Sequence, residues 1–263
     1  MEYIINTCTI ESKMPYIDPD FSTDTAWEDW GRRDPYFGVI TDPKFRRDKI
    51  TEQSRSEFFD SGRGHVEYVL QMIRKHVDEK FEPRRVLDFG CGVGRVVIPF
   101  AGVAQEVVGL DVSSSMLREA ERNCEVYGVT NARLLLSDDA LTSLNGTFDL
   151  IHSCIVFQHI PVTRGNVLFA KLLQHLKVGG IGAVQLTYSK VQFASTQGLP
   201  PPELPHDLKK LAVPGDVDPA RQMNPYNMNT ILFMLQESQV RECYFDFTNH
   251  GGELGLFLFF RKT

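Results

Sequence analysis

A glycine-rich turn that directly follows a short apolar run constrains the fold of this chain more than any other feature. The segment VLDFGCGVGR, residues 86–95, carries glycine at positions 90, 92 and 94. Glycine has no Cβ, so the backbone there can bend sharply and approach a ligand closely. The apolar run is typical of a buried strand in a parallel sheet, and the residues after the turn predict a helix whose first amide groups can bind a ligand.

Segments typical of strands and helices alternate from residue 85 onward. The patterns predict strands over residues 86–89, 106–111, 132–136, 148–153, 181–188, 240–248 and 256–261. They predict helices over residues 64–77, 94–104, 113–127, 163–176 and 227–237. Pro99 is expected to kink the second helix, and Gly179–Gly180 to end the fourth. The last two strands are joined so tightly that they must pair antiparallel. The predicted fold is α/β and Rossmann-like, a doubly wound, mostly parallel seven-stranded sheet with a C-terminal antiparallel β-hairpin.

Two segments lie outside this alternation. Residues 1–60 are rich in Pro, Asp, Arg and aromatic side chains and have weak periodicity, so they are predicted to form an N-terminal arm. The arm either folds over the site as a lid or simply packs on the domain at 61–263. Residues at about 190–225 contain GLPPPELPHD, which cannot form a core element, and are predicted to be an insert that covers the substrate.

The charge and the cysteine content limit the classes of binding partner and the cellular compartment that fit this chain. The net charge is −6, so a nucleic acid is a disfavoured partner. Five cysteines without paired spacing fit a reduced, cytoplasmic protein, and the first residues, MEYIINTCTIESK, lack the pattern of a signal peptide. The apolar stretches are too short to span a bilayer, and no Cys/His cluster or acidic pattern predicts a metal site. The sequence does not predict an oligomeric state.

The spacing of the glycines distinguishes between two nucleotide cofactors. The dinucleotide fingerprint is GxGxxG, and its loop holds a pyrophosphate. Here the spacing is GxGxG, preceded by Asp88, whose carboxylate would repel a pyrophosphate and attract a cationic methionyl ammonium group. Asp111 ends the second predicted strand, where an acidic residue accepts hydrogen bonds from a ribose diol. These residues favour S-adenosylmethionine over NAD.

The segments VLDFGCGVGR and VVGLDVSSSML together resemble the first two motifs of class I S-adenosylmethionine-dependent methyltransferases. The resemblance extends over residues 64–189 and 227–263, and it implies that residues 61–263 are a methyltransferase domain. The residues that it implies for cofactor binding are Asp88, Gly90, Cys91, Gly92, Gly94, Arg95, Asp111, Val112, Met116, Asp139, Ala140, Ser153 and Cys154.

The resemblance also assigns these residues to parts of the cofactor. Those from position 88 to 92 line the methionyl end, and Asp111 holds the ribose. Val112 and Met116 flank the adenine, while Asp139 with Ala140 meets its amino group. Ser153 and Cys154 lie near the sulfonium. Two alternatives stay open: Asp88 and Asp111 could cap their own loops, and Asp138 could replace Asp139.

Methyl transfer is an in-line displacement at a sulfonium, so the protein mainly positions the acceptor and excludes water. His159, in FQHIP after the fourth strand, is the first candidate for a general base, with helix capping or packing as its alternative. His250, in the NHGG turn, and Tyr188, at the end of the fifth strand, are further catalytic candidates, although an ordinary turn residue is the more frequent reading of His250. His152, inside a strand, is predicted to be structural.

The sequence thus predicts a methyltransferase that uses S-adenosylmethionine and transfers a methyl group to an oxygen or nitrogen of a small molecule. A sugar, a lipid or a secondary metabolite is the expected acceptor class. One alternative is a non-catalytic module that binds S-adenosylmethionine. Another is an RNA methyltransferase, which the acidic balance and the lack of an appended basic domain disfavour.

Overall fold

Nine strands form two sheets in the computed structural model, which describes residues 22–200, 209–210, 218–219 and 221–263. In chain order they are β1 (Arg85–Phe89), β2 (Glu106–Asp111), β3 (Ala132–Leu136), β4 (Phe148–Ser153), β5 (Leu176–Lys190), β6 (Lys209–Lys210), β7 (Arg221–Gln222), β8 (Val240–His250) and β9 (Glu253–Lys262). The strands β6 and β7 pair only with each other, and the other seven form the main sheet.

The main sheet has the strand order β3-β2-β1-β4-β5-β9-β8. The first five strands run parallel, and β9 pairs antiparallel with both β5 and β8. This confirms the predicted mostly parallel sheet with its C-terminal antiparallel hairpin. The carboxyl ends of β1, β2, β4 and β5 meet at one edge of the sheet, called here the carboxyl edge, where open α/β sheets bind their ligands.

Seven α-helices surround the main sheet among the described residues. They are α1 (Thr23–Arg33), α2 (Pro35–Val39), α3 (Glu52–His76), α4 (Val97–Ala101), α5 (Ser114–Val126), α6 (Val162–His175) and α7 (Met228–Glu237). Helix α3 begins at Glu52, before the predicted start at Gly64, because Thr51 and Ser54 form a capping box there. The mostly polar first turns of α3 gave no periodic signal.

Two other boundaries differ from the prediction for local reasons. Helix α4 is a single turn, because Gly94 has a φ of 82°, which belongs to the preceding turn and not to a helix. Helix α6 ends at His175, and the chain passes directly into β5. Gly179, with a φ of 80°, therefore lies inside the strand and does not end the helix.

Apolar clusters cover both faces of the main sheet. On one face Leu87 and Phe148 pack with Phe169 of α6, and on the other Val86 packs with Ile73 of α3 and with Phe100. Each fully buried side chain of this size contributes about 1.5–3 kcal/mol relative to an exposed one. A third cluster, made mainly by residues 27–59, rests on Val93 and Met116 at the carboxyl edge. The described part of the N-terminal arm, residues 22–60, is thereby held against the carboxyl edge next to the glycine turn.

Candidate active site at the carboxyl edge

The glycine turn after β1 needs glycine for two separate reasons. Gly90, Gly92 and Gly94 have φ angles of 77°, 52° and 82°, which side chains of L-residues rarely adopt. A Cβ on Gly90 would also lie 2.3 Å from a methyl carbon of Val156, in the loop after β4. The turn is therefore pressed closely against the next loop along the edge.

Asp88 lies beside this turn and is held by a histidine. Its side chain is buried, and its Oδ1 lies 2.7 Å from His152 Nδ1. His152 Nε2 lies in turn 2.8 Å from His65 Nε2 of α3. His152 was predicted to be structural, and this contact with Asp88 was not predicted. The signal was present in the register, because Asp88 and His152 are paired on adjacent strands.

Arg95 directly follows the turn and carries a positive charge near Asp88. Burial lowers the pKa of this guanidinium, whereas Cys154 and Asp88 nearby raise it. Its Nε is buried without a hydrogen-bond partner among the described residues, and Nη1 lies 3.4 Å from Ser61 Oγ. Asp88 and Arg95 thus place a carboxylate and a guanidinium near one turn, which suits a ligand that carries both an ammonium and a carboxylate group.

Asp111 ends β2 and accepts two backbone hydrogen bonds. Its Oδ2 accepts from Gly92 N–H at 2.8 Å and its Oδ1 from Ser113 N–H at 2.9 Å. The capping of its own loop, which the sequence left open, is therefore present. Burial raises the pKa of Asp111 to about 6, although these hydrogen bonds lower it. Each carboxylate oxygen keeps a second lone pair that can accept a ribose hydroxyl.

The residues assigned to the adenine lie farther along the edge. Met116 is buried under the arm, and Val112 is partly buried beside it. Asp139 is exposed and accepts a hydrogen bond from Arg164 Nε at 2.6 Å, and the neighbouring Ala140 is also exposed. Asp138 instead closes its own turn by accepting from Thr142 N–H at 2.9 Å.

Ser153 and Cys154 follow at the end of β4. The Ser153 hydroxyl donates to the carbonyl of Phe89 at 3.0 Å, which ties β4 to the end of β1. Burial raises the pKa of the Cys154 thiol to about 12, so the thiol is neutral at neutral pH and is a poor nucleophile. Cys91, within the turn, is buried, and burial raises its pKa as well. Cys154 can therefore shape the site without reacting.

His159 has the protonation expected of a base. Burial lowers its pKa to about 4, so the ring is neutral near pH 7. Its Nδ1 lies 2.8 Å from the carbonyl oxygen of Gln222, which only accepts, and Nδ1 therefore carries the proton. The lone pair is then at Nε2, which lies 3.3 Å from Gln158 Nε2.

The other two catalytic candidates are not gathered around His159. His250 is exposed at the end of β8, the outermost strand, and three strand spacings of about 4.8 Å separate β8 from β4. Tyr188 is half-buried at the end of β5, where its ring packs against the apolar cluster beside α6 and α7. Both lie at the carboxyl edge, and only His159 directly follows β4.

Known proteins share this combination of sheet and turn. The profile of a family described as a methyltransferase domain matches residues 86–180. This segment contains the glycine turn, Asp88, Asp111 and the loop after β4. It therefore matches a methyltransferase domain, in agreement with the resemblance of its two motifs to the class I S-adenosylmethionine-dependent type.

Relatives of the methyltransferase domain cover different shares of the chain. Ubiquinone biosynthesis O-methyltransferase of Methylococcus capsulatus is 29% identical in an alignment 133 residues long, which covers 45% of this chain and 55% of that protein. Magnesium-protoporphyrin O-methyltransferase of Synechocystis is 33% identical over 88 residues, 33% of this chain and 38% of that protein. The chain thus spans about half the length of the first of these relatives and less of the second.

A solved structure supports the fold over nearly the whole chain. Magnesium protoporphyrin IX methyltransferase from Synechocystis PCC 6803, with bound S-adenosylmethionine, superposes with a TM-score of 0.58. The alignment covers 94% of this chain and 100% of that one, at 17% identity. The similarity therefore includes the elements that flank the matched methyltransferase segment.

Helix α1 of the N-terminal arm contacts the carboxyl edge at two places. Glu28 of α1 accepts hydrogen bonds from residues at the start of α5. Farther along α1, the Trp27 ring lies 5.0 Å from the His159 ring, and Thr23 Oγ1 donates to the His159 carbonyl at 2.6 Å. The arm therefore contacts both the predicted adenine end and the predicted base.

Residues of the predicted insert complete this cover where they are described. Arg46 of the arm forms a bidentate ion pair with Asp218, and Arg221 Nη1 donates to Thr41 Oγ1 at 2.7 Å. The Arg221 guanidinium also lies 4.2 Å from the Trp30 ring centroid. The arm and the end of the insert are thus held together above the sheet of the methyltransferase domain.

Two other kinds of site are absent from the part of the chain that the structure describes. Across residues 22–200, 218–219 and 221–263, no group of three or more His, Cys, Asp or Glu side chains is arranged to hold a metal ion. Within the same part of the chain, no helix combines the length and apolarity that a membrane crossing needs.

Proposed function

We propose that this chain is an S-adenosylmethionine-dependent methyltransferase that transfers a methyl group to an oxygen or nitrogen atom of a small molecule. The observation that carries the proposal is the pair of opposite charges, Asp88 and Arg95, beside the glycine turn. The methionyl end of S-adenosylmethionine is a zwitterion, and this pair matches its two charges. A dinucleotide offers only negative charges to the same turn.

Unpaired polar atoms support a ligand site at this edge. Buried side-chain atoms without a partner among the described residues include Trp30 Nε1, Arg95 Nε, Gln185 Nε2, Asn224 Oδ1 and Thr248 Oγ1. Burying such atoms unpaired is costly, so a ligand or ordered water is expected to satisfy them, and Arg95 Nε directly follows the glycine turn. The same edge carries the matched methyltransferase motif.

The residues present fit the cofactor along its length. Asp88 and Arg95 would hold the methionyl group, Asp111 the ribose, and Met116 one face of the adenine. When bound, S-adenosylmethionine supplies a methyl group on a sulfonium, which is already reactive towards nucleophiles. The work left to the chain is to orient the acceptor, to exclude water and to remove a proton.

His159 is proposed to remove that proton. Its Nδ1–H is fixed by the Gln222 carbonyl, so the lone pair is at Nε2, where it faces Gln158 Nε2 and where an acceptor's proton would replace that donor. A neutral imidazole can take the proton that an acceptor hydroxyl loses as the new bond forms, or the proton that a protonated amine must lose before it can attack. Trp27 packs on this ring and excludes water from it. The charge balance of the chain, with 34 acidic and 28 basic side chains, disfavours RNA as the acceptor.

Calorimetry tests the cofactor assignment. Titration of the protein with S-adenosylhomocysteine should show one binding site, and NAD should not compete for it. Asp111→Ala should weaken this binding. Asp60→Ala, which removes an exposed carboxylate paired with Arg63 on α3, should leave the affinity unchanged. Tight binding of NAD, or no binding of S-adenosylhomocysteine by the folded protein, would overturn the proposal.

A labelling experiment tests the activity and the acceptor class. The protein is incubated with S-adenosylmethionine that carries a tritiated methyl group, together with separate pools of small metabolites, lipids and RNA. We expect label in a small-molecule or lipid pool. Label in RNA alone would support an RNA methyltransferase instead, and cofactor binding without transfer to any pool would support a non-catalytic binding module.

A further inference from the structure

Three side chains form a hydrogen-bonded series that runs from α3 to the glycine turn. His152 Nδ1 lies 2.7 Å from Asp88 Oδ1, and His152 Nε2 lies 2.8 Å from His65 Nε2. Asp88 is 3% exposed and His152 is 1% exposed, so water does not replace either contact. The proposed function uses Asp88 and assigns no task to the two histidines.

The contact between His152 and Asp88 has a defined donor and acceptor. A carboxylate only accepts, so His152 Nδ1 carries a proton that it donates to Asp88. Burial, together with the nearby His152 and Arg95, lowers the pKa of His65 to about 2, so His65 is neutral. Between the two Nε2 atoms, one ring donates and the other accepts. The two rings therefore form a hydrogen-bonded series that ends at the Asp88 carboxylate.

We infer that His152 and His65 are positioning residues that orient the Asp88 carboxylate towards the ammonium group of a methionyl ligand. This inference rests on the proposed function. His152 fixes Oδ1 and leaves Oδ2 to face the ligand, and His65 fixes the tilt of the His152 ring. Groups that hold a ligating side chain in this indirect way change ligand affinity by about 10–100-fold when they are removed from metal sites.

Two neighbours explain why the carboxylate needs this support. The rings of Phe100 and Phe257 lie 5.4 and 6.1 Å from the His152 ring, so the surroundings offer few other polar partners. Arg95 is close enough for its charge to act on Asp88. Without His152, the carboxylate would be drawn to Arg95, and both charges would then be less available to a zwitterionic ligand.

A pair of related ligands separates orientation of Asp88 from general damage to the site. S-adenosylhomocysteine carries the ammonium group, whereas 5′-methylthioadenosine has the same nucleoside and lacks the amino-acid part. Calorimetry is performed with both ligands on the full chain and on His152→Leu and His152→Asn. Leucine and asparagine are similar in size, and only asparagine keeps an N–H near the position of Nδ1.

We expect His152→Leu to raise the Kd for S-adenosylhomocysteine by at least about tenfold and that for 5′-methylthioadenosine by less than about twofold. His152→Asn should restore the affinity for S-adenosylhomocysteine to within about threefold of the unmodified protein. His65→Leu leaves the contact between Asp88 and His152 in place. It should therefore raise the Kd for S-adenosylhomocysteine by less than His152→Leu does, and still by more than the Kd for 5′-methylthioadenosine. If circular dichroism shows that His152→Leu is unfolded, His65→Leu provides the test.

Equal weakening of both ligands would overturn the inference, because it would mean that the histidines only support the fold. Unchanged affinity for S-adenosylhomocysteine in folded His152→Leu, or in His65→Leu if that is the folded variant, would overturn it too. A failure of the proposed function looks different: the unmodified protein would then bind neither ligand, and the inference would fall with it.

Discussion

The carboxylate of Glu28 in α1 accepts hydrogen bonds from both the backbone N–H and the hydroxyl of Ser115, at 3.0 and 2.6 Å. Ser115 lies in the first turn of α5, where backbone N–H groups have no partner within the helix. An acidic residue from another helix thus caps α5 from outside. The contact joins the N-terminal arm to the helix that carries Met116.

Replacing Glu28 by alanine should loosen the arm. Loss of a cap of this kind costs about 1 kcal/mol, and hydrogen exchange of the amides in α1 and α2 should become faster. Asp29→Ala is the matched control, because that carboxylate pairs with Arg32 on the same helix. Equal exchange in both variants would show that Glu28 does not hold the arm.

The same contact should weaken in acid. Partial burial raises the pKa of Glu28, but the hydrogen bonds from Ser115 and Ser113 outweigh burial and hold it below its usual value of 4.5. A lowered pKa stabilises the docked arm above that value, and this stability is lost as the pH falls through the lowered pKa. Hydrogen exchange below about pH 4 should therefore loosen the arm in the unmodified protein, with little further change in Glu28→Ala.

Cofactor affinity should depend on the ionisation of Asp111. Because burial raises its pKa to about 6, this carboxyl group is mostly protonated at pH 5 and mostly ionised at pH 7. Only the ionised form offers both oxygens to ribose hydroxyls, so the affinity for S-adenosylhomocysteine should rise by about tenfold between these pH values. Asp111→Asn should bind weakly with a flat profile, and calorimetry at several pH values measures both. A steep profile that persists in Asp111→Asn would assign the titration to another group.

His159→Ala should separate turnover from cofactor binding. Removal of a general base lowers turnover by about a hundredfold or more, whereas the Kd for S-adenosylhomocysteine should change little, because this ring faces Trp27 and Gln222. The measurement is the initial rate of label transfer to the identified acceptor. Gln158→Ala, which removes the side chain beside Nε2, is the companion variant and should reduce the rate less. Unchanged turnover in His159→Ala would exclude this residue as the base.

Two glycines with similar backbone angles should tolerate alanine very differently. Gly90 and Gly128 have φ angles of 77° and 66°, so alanine is strained at both. A Cβ on Gly128 would meet nothing within 4 Å, whereas one on Gly90 would meet Val156 at 2.3 Å. Gly128→Ala should cost about 1 kcal/mol of unfolding free energy, and Gly90→Ala about 1–3 kcal/mol more. Urea denaturation measures the difference, and equal losses would contradict the close contact.

The sheet was predictable because each of its features has a local signal. The apolar run before Gly90, the acidic residue that ends β2 and the short turn before β9 each act within a few residues of the chain. The positions of Asp88, Asp111 and His159 at one edge then follow from the geometry of parallel strands. Element ends were harder to predict: the start of α3 depends on a capping box, and the end of α6 depends on how β5 pairs.

The position of the N-terminal arm and the contacts of the two histidines could not be predicted, because they depend on residues that are far apart in the sequence. Thr23 meets His159 across 136 positions, and Arg46 meets Asp218 across 172. Nothing in the sequence near Thr23 or Arg46 indicates these partners. The contact between Asp88 and His152 was easier to predict, because the register of adjacent strands brings the two residues together. His65 belongs to a helix whose orientation the sequence alone does not define.

Helix α1 touches α5 through Glu28 and the loop after β4 through Thr23 and Trp27. One rigid displacement of this helix would therefore uncover both ends of the site at once. Cofactor exchange and acceptor exchange would then share a single gate and a single rate. In such an arrangement the motion of α1 would set the pace of both exchanges.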